Sequence, residues 1–298
     1  MKTRMQLLVL AVSLTALPVV LQAQPSAHYA PGVEGIKAAT LPPPGFYVRD
    51  YNYFYWANQI NDANGNQVGA LSPSVFTYAN LPRLLWITDT KFLGGFVGLD
   101  GFLPLIYQKA NATTPGGPFN GNNFGVGDLF AEVSLSWHTK QFDFSLASGV
   151  DMPTGNSPTK PGPTTEPGLG YWTFMQTAGA TWYIDEAKTW AVSALNRLEF
   201  NTEQRDTEIN YGDAYTLEWG VSKSVCKEAD LGVVGYYQQQ FTGDSNDQPL
   251  NRVAAVGPEV SMMFPKQMLF VSLRYNYEFM AYSRAQGNDI CLTITKRF

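Results

Sequence analysis

Residues 268–280 read Met-Leu-Phe-Val-Ser-Leu-Arg-Tyr-Asn-Tyr-Glu-Phe-Met. Leu269, Val271, Leu273, Tyr275, Tyr277 and Phe279 alternate there with Ser272, Arg274, Asn276 and Glu278. A period of two places one set on each face of a β-strand. The run exceeds the usual globular strand of about 5–6 residues, whereas a tilted strand of about 9–11 residues crosses a bilayer. The stretch therefore reads as a spanning strand with an apolar lipid face and a polar lumen face.

The same alternation recurs outward from this stretch. In Asp128–His138, Leu129, Ala131, Val133, Leu135 and Trp137 oppose Asp128, Phe130, Glu132, Ser134, Ser136 and His138. Tyr215, Leu217, Trp219 and Val221 oppose Thr216, Glu218 and Gly220; Ile290, Leu292, Ile294 and Phe298 oppose Asp289, Cys291, Thr293, Thr295 and Arg297. About twelve such segments fall near 45–57, 71–88, 91–103, 125–138, 141–151, 171–184, 188–201, 213–225, 229–242, 251–264, 267–280 and 287–298. Pro73 and Pro82 interrupt the second.

The connections alternate in length. Short ones fall at Asp89-Thr90, Thr139-Lys140, Asp185–Ala187, Lys227-Glu228 and Pro265-Lys266. Long ones fall at Asn58–Ala70, Pro104–Phe124, Met152–Gly170, Thr202–Gly212, Gly243–Leu250 and Ala281–Gln286. Short periplasmic turns and long outer loops mark a bacterial outer-membrane barrel, and an even strand count puts both barrel ends on the periplasmic side. Closure follows because a lipid-facing sheet cannot leave edge amides unpaired. The predicted fold is all-β, a transmembrane antiparallel β-barrel of about 12 strands over residues 45–298. A secreted sandwich also alternates, but it gives no reason for an exposed face of Leu, Val, Tyr and Trp.

Composition agrees. Charged residues make up 15%, against about 25% in ordinary soluble domains, and aromatics reach 14%. Mean hydropathy is −0.15, and the one long apolar run, Leu7–Leu21, is interrupted by Pro18, which excludes a polytopic helical membrane protein. A net charge of −5 and a pI near 5.1 disfavour nucleic-acid binding. Lys2 and Arg4, the apolar run and Leu21-Gln22-Ala23 predict a signal peptide over 1–23. Its removal takes the net charge to −7. Residues 24–44 hold Pro25, Pro31, Pro42, Pro43 and Pro44, which cannot donate to a ladder. They are expected to plug the lumen or cap its periplasmic mouth, with His28 and Tyr29 on wall carboxylates, or else to form a disordered leader. Cys226 and Cys291 lie on distant strands and are read as unpaired.

Several further stretches carry a resemblance: His28-Tyr29-Ala30-Pro31-Gly32, Pro42-Pro43-Pro44-Gly45-Phe46-Tyr47, Gly125-Val126-Gly127-Asp128-Leu129, Pro153-Thr154-Gly155, Gly168-Leu169-Gly170-Tyr171-Trp172, Tyr211-Gly212-Asp213 and Gly257-Pro258. In this order and spacing the chain resembles the outer-membrane transporter family of the meta-pathway of phenol degradation. The resemblance implies a bacterial outer-membrane channel or transporter for small hydrophobic or aromatic compounds. A structural or adhesive barrel without transport is the alternative.

No enzyme is expected. Of two histidines, His28 lies near the mature N-terminus and His138 at a short turn on the periplasmic side, neither placed for a lipid-facing Ser-His-acid site, and no cluster has metal-ligand spacing, so no cofactor or metal is predicted. The polar parity places Asp100, Asp128, Glu132, Asp143, Arg197, Glu199, Glu218, Glu259, Arg274, Glu278 and Arg297 in the lumen. These charges either neutralise one another and stiffen the wall or line a wet, weakly cation-favouring path. Phe92, Phe96, Phe102 and Phe130 share that parity, as solute contacts or as packing. Tyr51, Tyr53, Tyr55, Trp56, Trp172, Trp182, Tyr183, Trp190, Tyr236 and Tyr237 are assigned mostly to the interfacial girdles. Ile294 and Phe298 form the expected assembly signal. The expected partners are the barrel-assembly machinery, outer-membrane lipids and a small hydrophobic solute, with no nucleic acid.

Overall fold

A computed structural model describes residues 27–68, 73–114 and 117–298; the predicted signal peptide lies outside them. The strands are β1 (Gly45–Ile60), β2 (Ser74–Phe92), β3 (Gly95–Phe102), β4 (Leu105–Thr114), β5 (Gly117–Val126), β6 (Leu129–His138) and β7 (Phe142–Met152). They continue as β8 (Thr173–Tyr183), β9 (Trp190–Asn201), β10 (Ala214–Cys226), β11 (Ala229–Gln240), β12 (Arg252–Phe264), β13 (Leu269–Tyr282) and β14 (Ala285–Arg297). Twelve of them close an antiparallel barrel: β1, β2, β3, then β6 to β14, with β14 returning to β1. Among the described residues the only helix is one 3-10 turn, Pro265–Gln267.

Burial is inverted relative to a soluble domain. Glu199, Glu218, Glu278, Asp289 and Thr181 are buried in the interior, while Leu84, Trp86, Leu146, Val233, Leu273 and Phe279 are exposed on the outside. Lipid, not a core, covers that apolar band, and closure pairs every edge of the ring. The barrel is thus built for the bacterial outer membrane.

Three expectations need correction. Pro104–Phe124 is not a loop: β4 and β5 form a hairpin there, with β4 paired to the upper part of β2 from Ser74 to Asn80. The longer β2 extends above β3 and leaves amides that β4 takes, while Gly and Asn in this stretch mask the strand pattern. Pro82 falls in the step where β2 changes partner, between Asn80↔Leu105 and Arg83↔Phe102. Second, Ala281–Gln286 is not a long loop but a tight turn at Ser283-Arg284, with Ser283 at φ 53°. The amide of Ser283 donates to Asp62 O and that of Asn61 to Arg284 O, so the β1–β2 connection holds a turn that lacks Gly. Third, the β2–β3 turn lies at Leu93-Gly94, both in the left-handed region, beyond a register shift between Ile87 and Lys91.

Candidate solute path through the lumen

The inward parity of β1 runs Tyr47, Arg49, Tyr51, Tyr53, Tyr55, facing a segment, residues 27–44, that threads the barrel. His28 Nδ1 lies 2.7 Å from Thr173 Oγ1 and Nε2 3.0 Å from Asp128 Oδ2. The Tyr29 amide donates to Glu199 Oε1 at 3.0 Å, its hydroxyl donates to Glu218, and Arg197 lies over its ring at 4.0 Å. The amides of Gly32 and Glu34 both donate to Glu218 Oε1 (2.8 and 3.1 Å), and that of Ile36 donates to Glu259 Oε2 at 2.8 Å. Arg274 donates to Val33 O and, at 3.3 Å, to Glu259 Oε1. Lys37 Nζ donates to Asp230 Oδ2 at 2.6 Å, and Tyr47 OH to Pro43 O at 2.7 Å. A proline-rich segment that cannot join a ladder thus satisfies its amides on wall carboxylates.

Gly35 passes where a Cβ would overlap the Glu259 carboxylate and crowd Arg274 Nε, so a side chain there would displace the carboxylate that holds Ile36 and Arg274.

Glu34 is the centre of the arrangement. Its carboxylate accepts from Tyr51 OH at 2.5 Å and lies 3.7 Å from both Arg49 and Arg83. Arg83 also donates to Asp100 Oδ1 (2.7 Å) and Glu132 Oε1 (3.1 Å), and Arg197 to Glu218 Oε2 (3.0 Å). Two chambers meet at this knot. The outer one, about 360 Å³, has a largely apolar wall of Val75, Leu81, Phe102, Ile106, Phe130 and Met175. The inner one, about 450 Å³, reaches Leu41, Tyr47 and Thr295 near the short turns. Glu34, Arg83, Glu132 and Arg197 line both.

Among the sequence-predicted positions, Phe102 and Phe130 stack inside the outer chamber with ring centroids 4.9 Å apart. Phe96 and Leu41 both pack against the cluster of Tyr47, Leu85 and Ile87 lower down. Phe92 is a correction: it is 59% exposed, because it ends β2, where it shares the outward parity of Leu84 and Trp86, and its neighbour Lys91 is the residue that lies over the Phe96 ring. Glu278 accepts from Tyr55 and Tyr236, both at 3.0 Å. Tyr51, Tyr53, Tyr55, Tyr183 and Tyr236 are therefore not girdle residues; they point inward, whereas Trp56, Trp172, Trp182 and Trp190 are exposed outside. Both histidines are held by carboxylates, His138 by Asp143 at 3.1 Å. No group of His, Cys, Asp and Glu among the described residues is arranged to hold a metal. Cys226 is exposed and Cys291 buried, both free.

Sequence reasoning missed Glu34, Arg49 and Arg83. Arg49 and Arg83 carried a signal, since each alternates in step with residues now seen inside; Glu34 carried none, because the proline-rich segment has no period.

No curated protein matches the chain. Its fold is similar to the COG4313 outer membrane channel from Pseudomonas putida F1, at 13% identity and a TM-score of 0.71, over 91% of this chain and all of that one. It is also similar to the β domain of the Bordetella autotransporter BrkA, at 10% identity and a TM-score of 0.55, over 86% of this chain and all of that one. At these identities the likeness concerns the fold. A family model matches residues 57–294, and the chain belongs to the family described as "Putative MetA-pathway of phenol degradation".

Proposed function

We propose that this barrel is a channel for small, largely apolar or aromatic solutes, plugged by residues 27–44. The observation that carries the reading is the pair of chambers meeting at Glu34, Arg83, Glu132 and Arg197, beneath an apolar outer wall. A twelve-stranded ring is intermediate between barrels filled by side chains and open aqueous porins, so a narrow path is its natural product. Phe102 and Phe130 offer ring faces, which favour offset or edge contacts with an aromatic solute. The four charged groups oppose passage until Glu34 is withdrawn, because a weakly hydrated solute does not repay their desolvation. Phe96, Asp128 and Arg274 act around the plug rather than at the solute. The family description, phenol degradation, supports the aromatic class.

The test is conductance in planar bilayers together with solute flux into liposomes. Replacing Phe102 and Phe130 together by Ala widens the outer chamber, so ion conductance rises while discrimination among aromatic solutes falls. Absence of flux and conductance in both wild type and double variant returns the barrel to a structural or adhesive role.

A further inference from the structure

Ten lysines lie among the described residues, and seven of them sit at the short-turn end of the barrel. Four of these share three neighbouring parts of the rim: Lys223 and Lys227 on the β10–β11 hairpin, Lys266 in the β12–β13 turn, and Lys296 on β14. Lys223 shares the outward parity of Val221 and lies 5.1 Å over the outward Trp190 ring. Lys296 donates to Gln267 O, which fixes it beside the turn that carries Lys266. Lys227 and Lys266 are exposed. Acid is scarce here: along these segments Glu228 is exposed, and Asp230 turns inward to Lys37 and Ser224. The opposite end is acidic, with Asp62, Glu203, Asp206 and Glu208 in its loops.

Among and above the ammonium groups the outer wall is apolar, with Leu231 paired to Lys223 and Val225 between Lys223 and Lys227. Val225, Leu231 and Met262 are 55%, 48% and 44% exposed, and Phe264 flanks them. Cationic heads below an acyl-facing strip match a phosphodiester below its chains, at the depth where aromatic side chains meet headgroups. Lysine is suited to this as a compact charge on a flexible stem that reaches the interface. We propose that Lys223, Lys227, Lys266 and Lys296, with the apolar strip above them, dock anionic phospholipids of the inner leaflet. The occupant is fixed by charge complementarity and by position. A neutral lipid gains nothing from four ammonium groups, and the acidic loops at the other end repel the same headgroup.

The test uses the full barrel in nanodiscs of equal phosphatidylcholine and phosphatidylglycerol, with lipids that stay bound after detergent exchange counted by native mass spectrometry. Wild type retains phosphatidylglycerol at least about fivefold over phosphatidylcholine at low salt, roughly the effect of one interfacial lysine. The K223Q/K227Q/K266Q/K296Q variant loses that preference, while K160Q/R205Q at the other end keeps it. If the quadruple variant fails to fold, the wild-type preference still falls as sodium chloride rises to about 1 M, where the screening length is about 3 Å. Equal retention of the two lipids by wild type overturns the proposal. So does a preference that salt or the quadruple substitution leaves unchanged, or capture by peptidoglycan sacculi in place of lipid.

Discussion

His28 Nε2 stands 3.0 Å from Asp128 Oδ2, and that carboxylate also accepts the amides of Gly155 and Leu169 at 2.8 and 2.7 Å. One ion pair thus joins the start of the threaded segment to the long loop that roofs the outer chamber.

This pair predicts a pH response. Burial works against the His28 imidazolium, but the nearby charges of Asp151 and Asp128 prevail and raise its pKa above 6.5. Burial likewise opposes the Asp128 carboxylate, yet His28 and the two loop amides hold it below 3.8. A raised histidine contributes stability that is complete below its unfolded value and lost as pH rises through the folded one. A lowered carboxylate contributes stability that is complete above its unfolded value and lost as pH falls through the folded one. The attachment is therefore strongest between 3.8 and 6.5 and weakens as pH climbs beyond 6.5. Tryptic cleavage at Lys37 of the folded barrel should accelerate from pH 6 to 9, and His28→Ala should flatten that dependence.

Glu34→Ala leaves Arg49 and Arg83 short of a carboxylate inside the lumen. Breaking a buried pair costs about 3–5 kcal/mol, and here the cost falls on docking of the threaded segment. Conductance should rise several-fold, with frequent long openings, while the unfolding temperature of the barrel changes little because its ladder is untouched. A variant as closed as wild type would mean that the knot is not the barrier.

On the outer wall, Asp50 accepts from Asn80 at 2.7 Å and Asn52 at 2.9 Å, and Tyr78 OH donates to Asn52. These groups share the outward parity of Ile294 and Leu292, between Phe46 and Trp86 on one side and Trp56 and Phe76 on the other. A carboxylate facing mid-bilayer is unfavourable even when bonded to amides. Replacing Asp50, Asn52 and Asn80 together by Leu should stabilise the barrel by about 1–3 kcal/mol in urea titrations from vesicles. Destabilisation instead would show that the polar patch is an interaction site.

The Phe298 amide donates to Phe46 O at 2.9 Å, and the two rings lie 6.2 Å apart across the β1–β14 seam. Deleting Phe298 removes one ladder bond of many but alters the strand end proposed as the assembly signal. Outer-membrane yield should fall several-fold, whereas the heat-modifiable shift of folded molecules should move by only a few degrees.

Alternation alone determined the barrel. Period two is a local property of each strand, and lipid outside with polar groups inside imposes it on every residue pair, so Met268–Met280 and Asp128–His138 announced both faces. Local pattern also placed Phe102, Phe130, Glu218, Glu259 and Arg274 inside. Position along the chain could not determine which strand meets which residue of the threaded segment. Glu34 joins Arg49 and Arg83 through space, across 15 and 49 residues of sequence. A tyrosine suits both a headgroup layer and a buried carboxylate, and only the place of β1, β8 and β11 in the closed sheet turns Tyr51, Tyr53, Tyr55, Tyr183 and Tyr236 inward. Phe92 ends β2 and does not share a strand with Phe96 and Phe102, and the place of the Leu93-Gly94 turn that divides the two strands leaves no mark in alternation or composition. The β4–β5 hairpin exists because β2 extends above β3 with amides to satisfy, a demand set by the assembled sheet and by no residue in the hairpin itself.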